Sequence, residues 1–277
     1  VGNLTGKVAF ISGVARGQGR SHAVRLASEG ADIIGIDICE DISTMDYPNS
    51  QLSDLEETVR LVEATGRKII ASQVDVRDAQ AVESAVNKGV AELGRLDIVL
   101  SNAGIIRLGA APEEMELQLW EDTIAVDLSG AYHVVRACVP KLIDGGNGGV
   151  IILTGSIAAT RPIFGYAAGQ LAYTAAKMGL VGMGRQLAHA LAEHGIRVNV
   201  IHPTGVASGM TENSTMERLA KEAAEGGRNS ISDLRNALDV EILAPSDISD
   251  AVSFLVSDQA KWITGVSLPV DAGFSLR

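Results

Sequence analysis

Residues 7–19 read KVAFISGVARGQG, a short apolar run followed by a loop that carries Gly13, Gly17 and Gly19. Apolar residues then recur at helical spacing over residues 21–29, SHAVRLASE. A strand, a glycine turn and a helix N-terminus in that order make a phosphate cradle. Gly13 permits the tight turn, Gly17 and Gly19 let backbone approach a pyrophosphate, and the first N–H groups of the helix attract negative charge. Arg16 and Gln18 are the other polar residues of this loop. A bare βα turn is the simpler reading, but the next run, DIIGIDI at 32–38, ends near Asp37. That is close to the ~20-residue offset at which an acidic residue holds ribose hydroxyls. A carboxylate there repels a 2′-phosphate, so NAD is the expected cofactor rather than NADP. Arg16 argues mildly the other way, because a basic residue in this loop can reach a 2′-phosphate.

Outward from this stretch the alternation continues. Apolar runs at 68–74, 96–101, 149–154, 196–201 and 266–270 are separated by helical patterns at 53–64, 79–93, 120–142, 173–193 and 246–256. Near-continuous apolar strands alternating with helices predict an α/β fold, a doubly wound (Rossmann) parallel sheet with helices on both faces. No repeat or linker splits the chain, so residues 1–277 read as a single dinucleotide-binding domain. Two excursions interrupt the alternation: an insert at 39–51, CEDISTMDYPNSQ, and a lid at 204–244. The insert exceeds the ~2–6 residues of an ordinary βα loop. Both leave carboxyl ends of strands, the edge where ligands bind in this architecture.

Composition narrows the classes. With 46% hydrophobic and 21% charged residues the chain can bury a core. A formal net charge of −11 argues against nucleic acid and against an anionic membrane surface as partners. No apolar run approaches the ~18 residues of a membrane span, and the opening residues do not read as a signal peptide. Cys39 and Cys138 read as reduced thiols, which places the chain in the cytoplasm. His22, His133, His189, His194 and His202 show no ligand spacing with Cys or Asp, so no catalytic metal is expected.

Tyr173 and Lys177 stand four apart on one helix face. A tyrosine titrates near ~10, too high for acid/base work at neutral pH. A neighbouring ammonium favours the phenolate and lowers that value. Ser156, after the run 149–154, can hydrogen-bond a reacting oxygen. Each residue alone reads as structural; the constellation reads as an oxidoreductase site.

Taken together, these residues resemble the short-chain dehydrogenase/reductase family over essentially the whole chain. Residues 12–19 are similar to its TGxxxGxG loop, with Ser12 in the Thr place. Asp75-Val76 resembles its adenine-contacting pair, and Asn102-Ala103-Gly104 its NAG element. His202-Pro203-Thr204-Gly205-Val206 resembles the PG motif that lines the nicotinamide, so the likeness implies Pro203, Thr204 and Val206 as cofactor contacts. It also implies Ser156, Tyr173 and Lys177 as the catalytic Ser, Tyr and Lys, with Lys177 holding the nicotinamide ribose as well. A homotetramer is implied, with helices 120–142 and 173–193 at its interface. GVARGQGRSHAV, the insert with Tyr47-Pro48, and IHPTGV are similar to the mycobacterial-type carveol dehydrogenases, a mycofactocin-associated branch. That likeness implies tightly held NAD beneath the insert and mycofactocin as electron acceptor.

Three departures bear on the reading. Asp127 stands where many members carry a catalytic Asn that positions a relay water; an Asp accepts from that water but cannot donate to it. Thr204 replaces the motif glycine. The interval from Ser156 to Tyr173 is long for the family, which makes 161–170 an enlarged loop; Tyr166 lies in it, with Gln170 four residues on, and is not taken as the acid. The expected reaction interconverts a secondary alcohol and a ketone. Met210, Met216, Leu219, Leu234 and Leu238 of the lid suggest an apolar alicyclic substrate such as carveol. A 3-oxoacyl or hydroxysteroid reductase and a non-catalytic NAD-binding sensor stay open.

Overall fold

β1 (Val8–Ser12) is buried along its entire length, as a strand covered on both faces must be. It pairs in parallel with β2 (Asp32–Asp37) on one side and β4 (Ile98–Ser101) on the other, so that Phe10 opposes both Ile34 and Val99. β3 (Ile69–Gln73), β5 (Gly149–Thr154), β6 (Ile196–Pro203) and β7 (Ser267–Val270) complete a seven-stranded parallel sheet in the order β3-β2-β1-β4-β5-β6-β7. The computed structural model describes residues 4–107, 116–161, 168–224 and 235–276, and all statements below concern these.

Alternate side chains of each strand feed two cores. Ala9, Ile11, Ile33, Ile98 and Leu100 join Leu26, Val252 and Leu255 in one. Phe10, Ile34, Val99, Ile151 and Leu153 join Val86, Val134 and Leu142 in the other. Each of the larger side chains, the valines, leucines, isoleucines and Phe10, contributes about 1.5–3 kcal/mol by burial, as an upper estimate. β7 lies at one edge, and Pro269, which has no N–H to give a ladder, is tolerated there.

The helices are α1 (Gly17–Ser28), α2 (Leu52–Glu63), α3 (Ala79–Leu93), α4 (Leu117–Ile124), α5 (Ala131–Gly145), α6 (Ala168–Leu191), α7 (Ser214–Ala224) and α8 (Pro245–Val256). Their ends carry local signals. Asp78 caps α3 by accepting from the backbone N–H groups of Gln80 and Ala81, and Gly94 closes it at φ 82°. Pro245 opens α8, and Asp247 reaches back to the N–H of Ala244 at 2.8 Å.

Two expectations shift. The helix read at 120–142 is α4 and α5 joined by a π turn, Ala125–Gly130. A turn with one extra residue leaves the apolar spacing almost unchanged, so periodicity does not show it. The helix read from Tyr173 begins earlier, at Ala168, which places Tyr173 and Lys177 within it rather than at its first turn. Residues 39–51 hold no helix or strand, and α7 lies within the lid. No helix among the described residues is long and apolar enough to cross a membrane. The order of the strands reverses between β1 and β4, and the groove beyond their carboxyl ends is where this architecture takes a ligand.

Candidate active site

The groove is lined by Gly13 and residues 16–19 of the first loop, by Asp37, and by Asp75 and Val76 after β3. Asn102, Ala103 and Gly104 after β4 close its far side. Gly13 and Gly17 adopt φ of 70° and 54°, the left-handed region. A Cβ on Gly19 would lie 1.9 Å from the carbonyl oxygen of Gly13, so only glycine lets the loop fold onto its helix. No side chain caps α1, which leaves its first N–H groups open to an anion. Ser12 Oγ accepts from the N–H groups of Asn102 and Ala103 at 3.0 and 3.2 Å, and Asn102 Nδ2 donates to the Ser12 carbonyl at 3.1 Å. These bonds hold the ends of β1 and β4 together beneath the groove. Asp37 is buried; its Oδ2 accepts from the N–H of Ala15 at 2.8 Å and its Oδ1 from Ser50 Oγ. The Asp75 carboxylate is held by Arg77 at 2.7 Å. Arg16 lines the groove and donates through Nη2 to the Pro48 carbonyl at 2.7 Å, which ties the loop to the insert. Glycine cradle, open helix end and acidic strand end together fit a dinucleotide.

Beyond this groove the chemical residues converge. Ser156, Tyr173, Lys177 and Asp127 are all buried. Lys177 Nζ donates to the Thr154 carbonyl at 3.0 Å and lies 3.3 Å from Asp127 Oδ2 and 5.3 Å from the centre of the Tyr173 ring. The contact with Asp127 is electrostatic, without good hydrogen-bond alignment at Oδ2. Asp127 Oδ1 accepts from the N–H of Ile105 at 2.8 Å. The π turn brings Asp127 inward, as such turns often do at functional sites. Gly104 packs closely on this pair: a Cβ there would lie 3.1 Å from Lys177 Nζ and 3.3 Å from Asp127 Oδ2.

Burial pushes the Tyr173 phenol above its ordinary value; the Lys177 charge and a hydrogen bond with Ser156 pull it back, while the Asp127 charge adds to the rise. Lys177 acts in the expected direction, but in the isolated chain burial outweighs it. Burial also opposes charge on Lys177, yet Asp127 and Tyr173 outweigh it and hold the ammonium above its usual range. Burial raises the Asp127 carboxyl against the pull of Lys177 and of the Ile105 N–H.

The phenol faces an apolar wall. Ile106 and Ala158 cluster with Tyr173, and Met210 and Met216 of the lid pack against them. Leu238 is largely exposed and takes no part. The side chain of Leu219, and residues Leu234 and Tyr166, lie outside the described residues. Pro203 ends β6, and the lid is tied at its base: the N–H of Ala207 donates to the Leu243 carbonyl at 2.9 Å, and the N–H of Leu243 to the Gly205 carbonyl at 3.0 Å. Val206 is buried at this junction, and Thr204 does not occupy the left-handed region, so replacing the motif glycine costs no backbone strain.

Sequence reasoning passed over three contributors. His202 is given no site role by its spacing, but its ring Nδ1 lies 2.9 Å from the Ser156 carbonyl oxygen and 3.2 Å from its amide nitrogen. It contacts Gly155 so closely that a Cβ there would lie 2.6 Å from Nδ1. Burial keeps it below its usual pKa and therefore neutral at pH 7. Its place in IHPTGV was the only signal. Thr154 acts through its carbonyl, which side-chain chemistry cannot reveal. Tyr47 of the insert is buried and accepts from the N–H of Ile106 at 3.2 Å. Among the described residues no group of three or more His, Cys, Asp or Glu is placed to hold a metal ion.

Residues 13–275 match the family described as enoyl-(acyl carrier protein) reductase. The chain is 41% identical to a (-)-trans-carveol dehydrogenase of Rhodococcus erythropolis, over 99% of each protein. Its structure is similar to that of a carveol dehydrogenase from Mycobacterium avium in complex with NAD, with a TM-score of 0.92, 46% identity and full coverage of both chains. It is also similar to a short chain dehydrogenase from Mycobacterium paratuberculosis bound to NAD, with a TM-score of 0.91, 40% identity and full coverage of both.

Proposed function

The chain belongs to the short-chain dehydrogenase/reductase family, and from that membership we propose that Ser156, Tyr173 and Lys177 interconvert a secondary alcohol and its ketone. The protein is an NAD-dependent oxidoreductase acting on a small-molecule alcohol. Gly13, Arg16, Gly17, Gln18 and Gly19 would cradle the pyrophosphate, and Asp37, Asp75 and Val76 the adenosine half. Asn102, Ala103, Gly104, Pro203, Thr204 and Val206, with Tyr173 and Lys177, would hold the nicotinamide half. Bound NAD supplies the hydride acceptor for the carbinol carbon.

The residues do the rest. Ser156 hydrogen-bonds the substrate oxygen and orients it toward Tyr173. Tyr173 takes the hydroxyl proton, and in ketone reduction returns one. Lys177 remains an ammonium and stabilises the phenolate. Asp127 holds Lys177 in place through their buried ion pair. Ile106, Ala158, Met210 and Met216 make the wall that favours an apolar alicyclic substrate such as carveol.

Ile42, Tyr47, Asn49 and Ser50 of the insert line the groove, which supports tightly held NAD; by resemblance its electrons would pass to mycofactocin. We read residues 1–277 as a single dinucleotide-binding domain, with the insert at 39–51 and the lid at 204–244. A homotetramer would cover two exposed apolar sets: Leu117, Trp120, Tyr132, Leu171 and Met178 on α4, α5 and α6, and Phe254, Trp262 and Leu276 near the C-terminus. Reduced, buried Cys39 and Cys138 suit a cytoplasmic location.

The observation that carries this reading is the burial of Ser156, Tyr173 and Lys177 in a single contact group beside the glycine groove. Tyr173→Phe tests it. Turnover of accepted alcohols should fall by about a hundredfold or more, the scale of general acid–base catalysis, at saturating NAD. Turnover surviving within about tenfold, roughly 1.4 kcal/mol of barrier, contradicts it.

A further inference from the structure

We propose that Asn49 and Ser50 of the insert are cofactor-binding residues which, together with Asp37, form an acceptor-only wall against the adenosine ribose and so set the preference for NAD over NADP. This rests on the reading of the groove as an NAD site.

Both residues are more than nine-tenths buried, and both line the groove beside Asp37. Ser50 Oγ donates its one proton to Asp37 Oδ1. Its lone pairs therefore remain available to accept from a ligand hydroxyl. Asp37 is fixed from the other side by the N–H of Ala15, so the carboxylate and the serine oxygen are presented as a rigid pair. The backbone N–H of Asn49 donates to Asp41 Oδ1 at 2.8 Å, which pins the residue in place. Its side-chain Oδ1 is buried yet has no hydrogen-bond partner among the described residues. Buried polar atoms are almost always paired, so an orphan that lines a ligand groove points to a donor on the ligand. Gln18 Oε1, in the same groove, is also without a partner among the described residues.

The charge balance decides which ligand. The wall offers the Asp37 carboxylate, the Ser50 lone pairs and the Asn49 oxygen, which are all acceptors. Arg16, the cation of the adjoining loop, donates instead to the Pro48 carbonyl. A ribose diol has protons to give to such a wall. A 2′-phosphate has none to give at neutral pH, and at this wall it meets the Asp37 charge and unshared lone pairs. The insert thus acts as a recognition element as well as a cover.

The test is equilibrium binding of NADH and NADPH to the full chain freed of bound nucleotide, for the wild type, Asn49→Ala, Ser50→Ala and Asn49→Asp. Each alanine variant should bind NADH about five- to tenfold more weakly, the loss of one hydrogen bond. NADPH binding should change by less than about twofold, so the preference narrows. Asn49→Asp keeps an acceptor and adds charge; it should retain NADH binding and reject NADPH more strongly. NADH affinity unchanged in both alanine variants overturns the proposal. So does an equal loss for both nucleotides accompanied by a matching loss of thermal stability, which would mark a structural role. Failure of the wild type to bind either nucleotide would instead sink the NAD reading itself.

Discussion

Asp127 carries the most chemical weight of any single residue here. The sequence shows an Asp where the family often has Asn, and its environment could not be read from sequence because it depends on the π turn. In the fold it forms a buried ion pair with Lys177. A buried pair of this kind is weak evidence for stability, but removing one partner leaves the other uncompensated. Its charge also opposes the phenolate at Tyr173. The other titratable groups that bear on this centre are Tyr47, kept neutral by burial, and His202, held below its ordinary pKa. Alcohol oxidation needs the deprotonated tyrosine, so its rate should rise with pH through the Tyr173 transition. Asp127→Asn removes the opposing charge, and the midpoint of the pH profile for oxidation should move to lower pH, read from kcat/KM across the pH range. A midpoint that stays in place or rises would show that Asp127 acts on the proton path in another way. Ser156, Tyr173 and Lys177 were legible because their spacing carries chemistry. His202 was not, because its effect on Ser156 runs through a backbone contact made by a strand distant in sequence.

Among the elements, the strands and the glycine loop were read almost to their ends because burial on both faces writes a continuous apolar run. Helix starts were less legible. α6 begins before Tyr173, at Ala168, and α1 begins at Gly17 with no side-chain cap to mark it. The packing of α1 on α8 hides a titration. His22 is fully buried on α1, its Nδ1 2.8 Å from Ser249 Oγ on α8, and burial lowers its pKa to about 3. An unfolded chain protonates this histidine near its ordinary ~6.5. Between that value and about 3 the unfolded state binds the extra proton, so the contribution of His22 to stability is present above the upper value and is lost as pH falls through this window. The slope is at most about 1.4 kcal/mol per pH unit from this group. His22→Asn should therefore lower stability at pH 7 but flatten its decline on acidification, seen in denaturant melts at several pH values. An equally steep decline in the variant would assign the acid sensitivity to other groups.

At the scale of the whole molecule, the doubly wound parallel sheet follows from strand–helix alternation, and the structure carries it as seven strands in the order β3-β2-β1-β4-β5-β6-β7. What the alternation could not convey was how the two excursions meet the site. The insert engages the glycine loop through Arg16 and Pro48, and the lid brings Met210 and Met216 to Tyr173. Both arrangements depend on contacts between segments far apart in sequence, and no local pattern records them. The dinucleotide groove and the Ser156–Tyr173–Lys177 group lie side by side and meet at Gly104, and alcohol oxidation is the chemistry they would perform together. The most direct measurement is to mix the protein with NAD and an alicyclic secondary alcohol such as carveol, and to follow the near-ultraviolet absorbance of reduced nicotinamide together with the ketone formed. The account predicts that reduced cofactor and ketone appear in equal amounts and that Tyr173→Phe abolishes both. NAD binding without reduction by any secondary alcohol would contradict it.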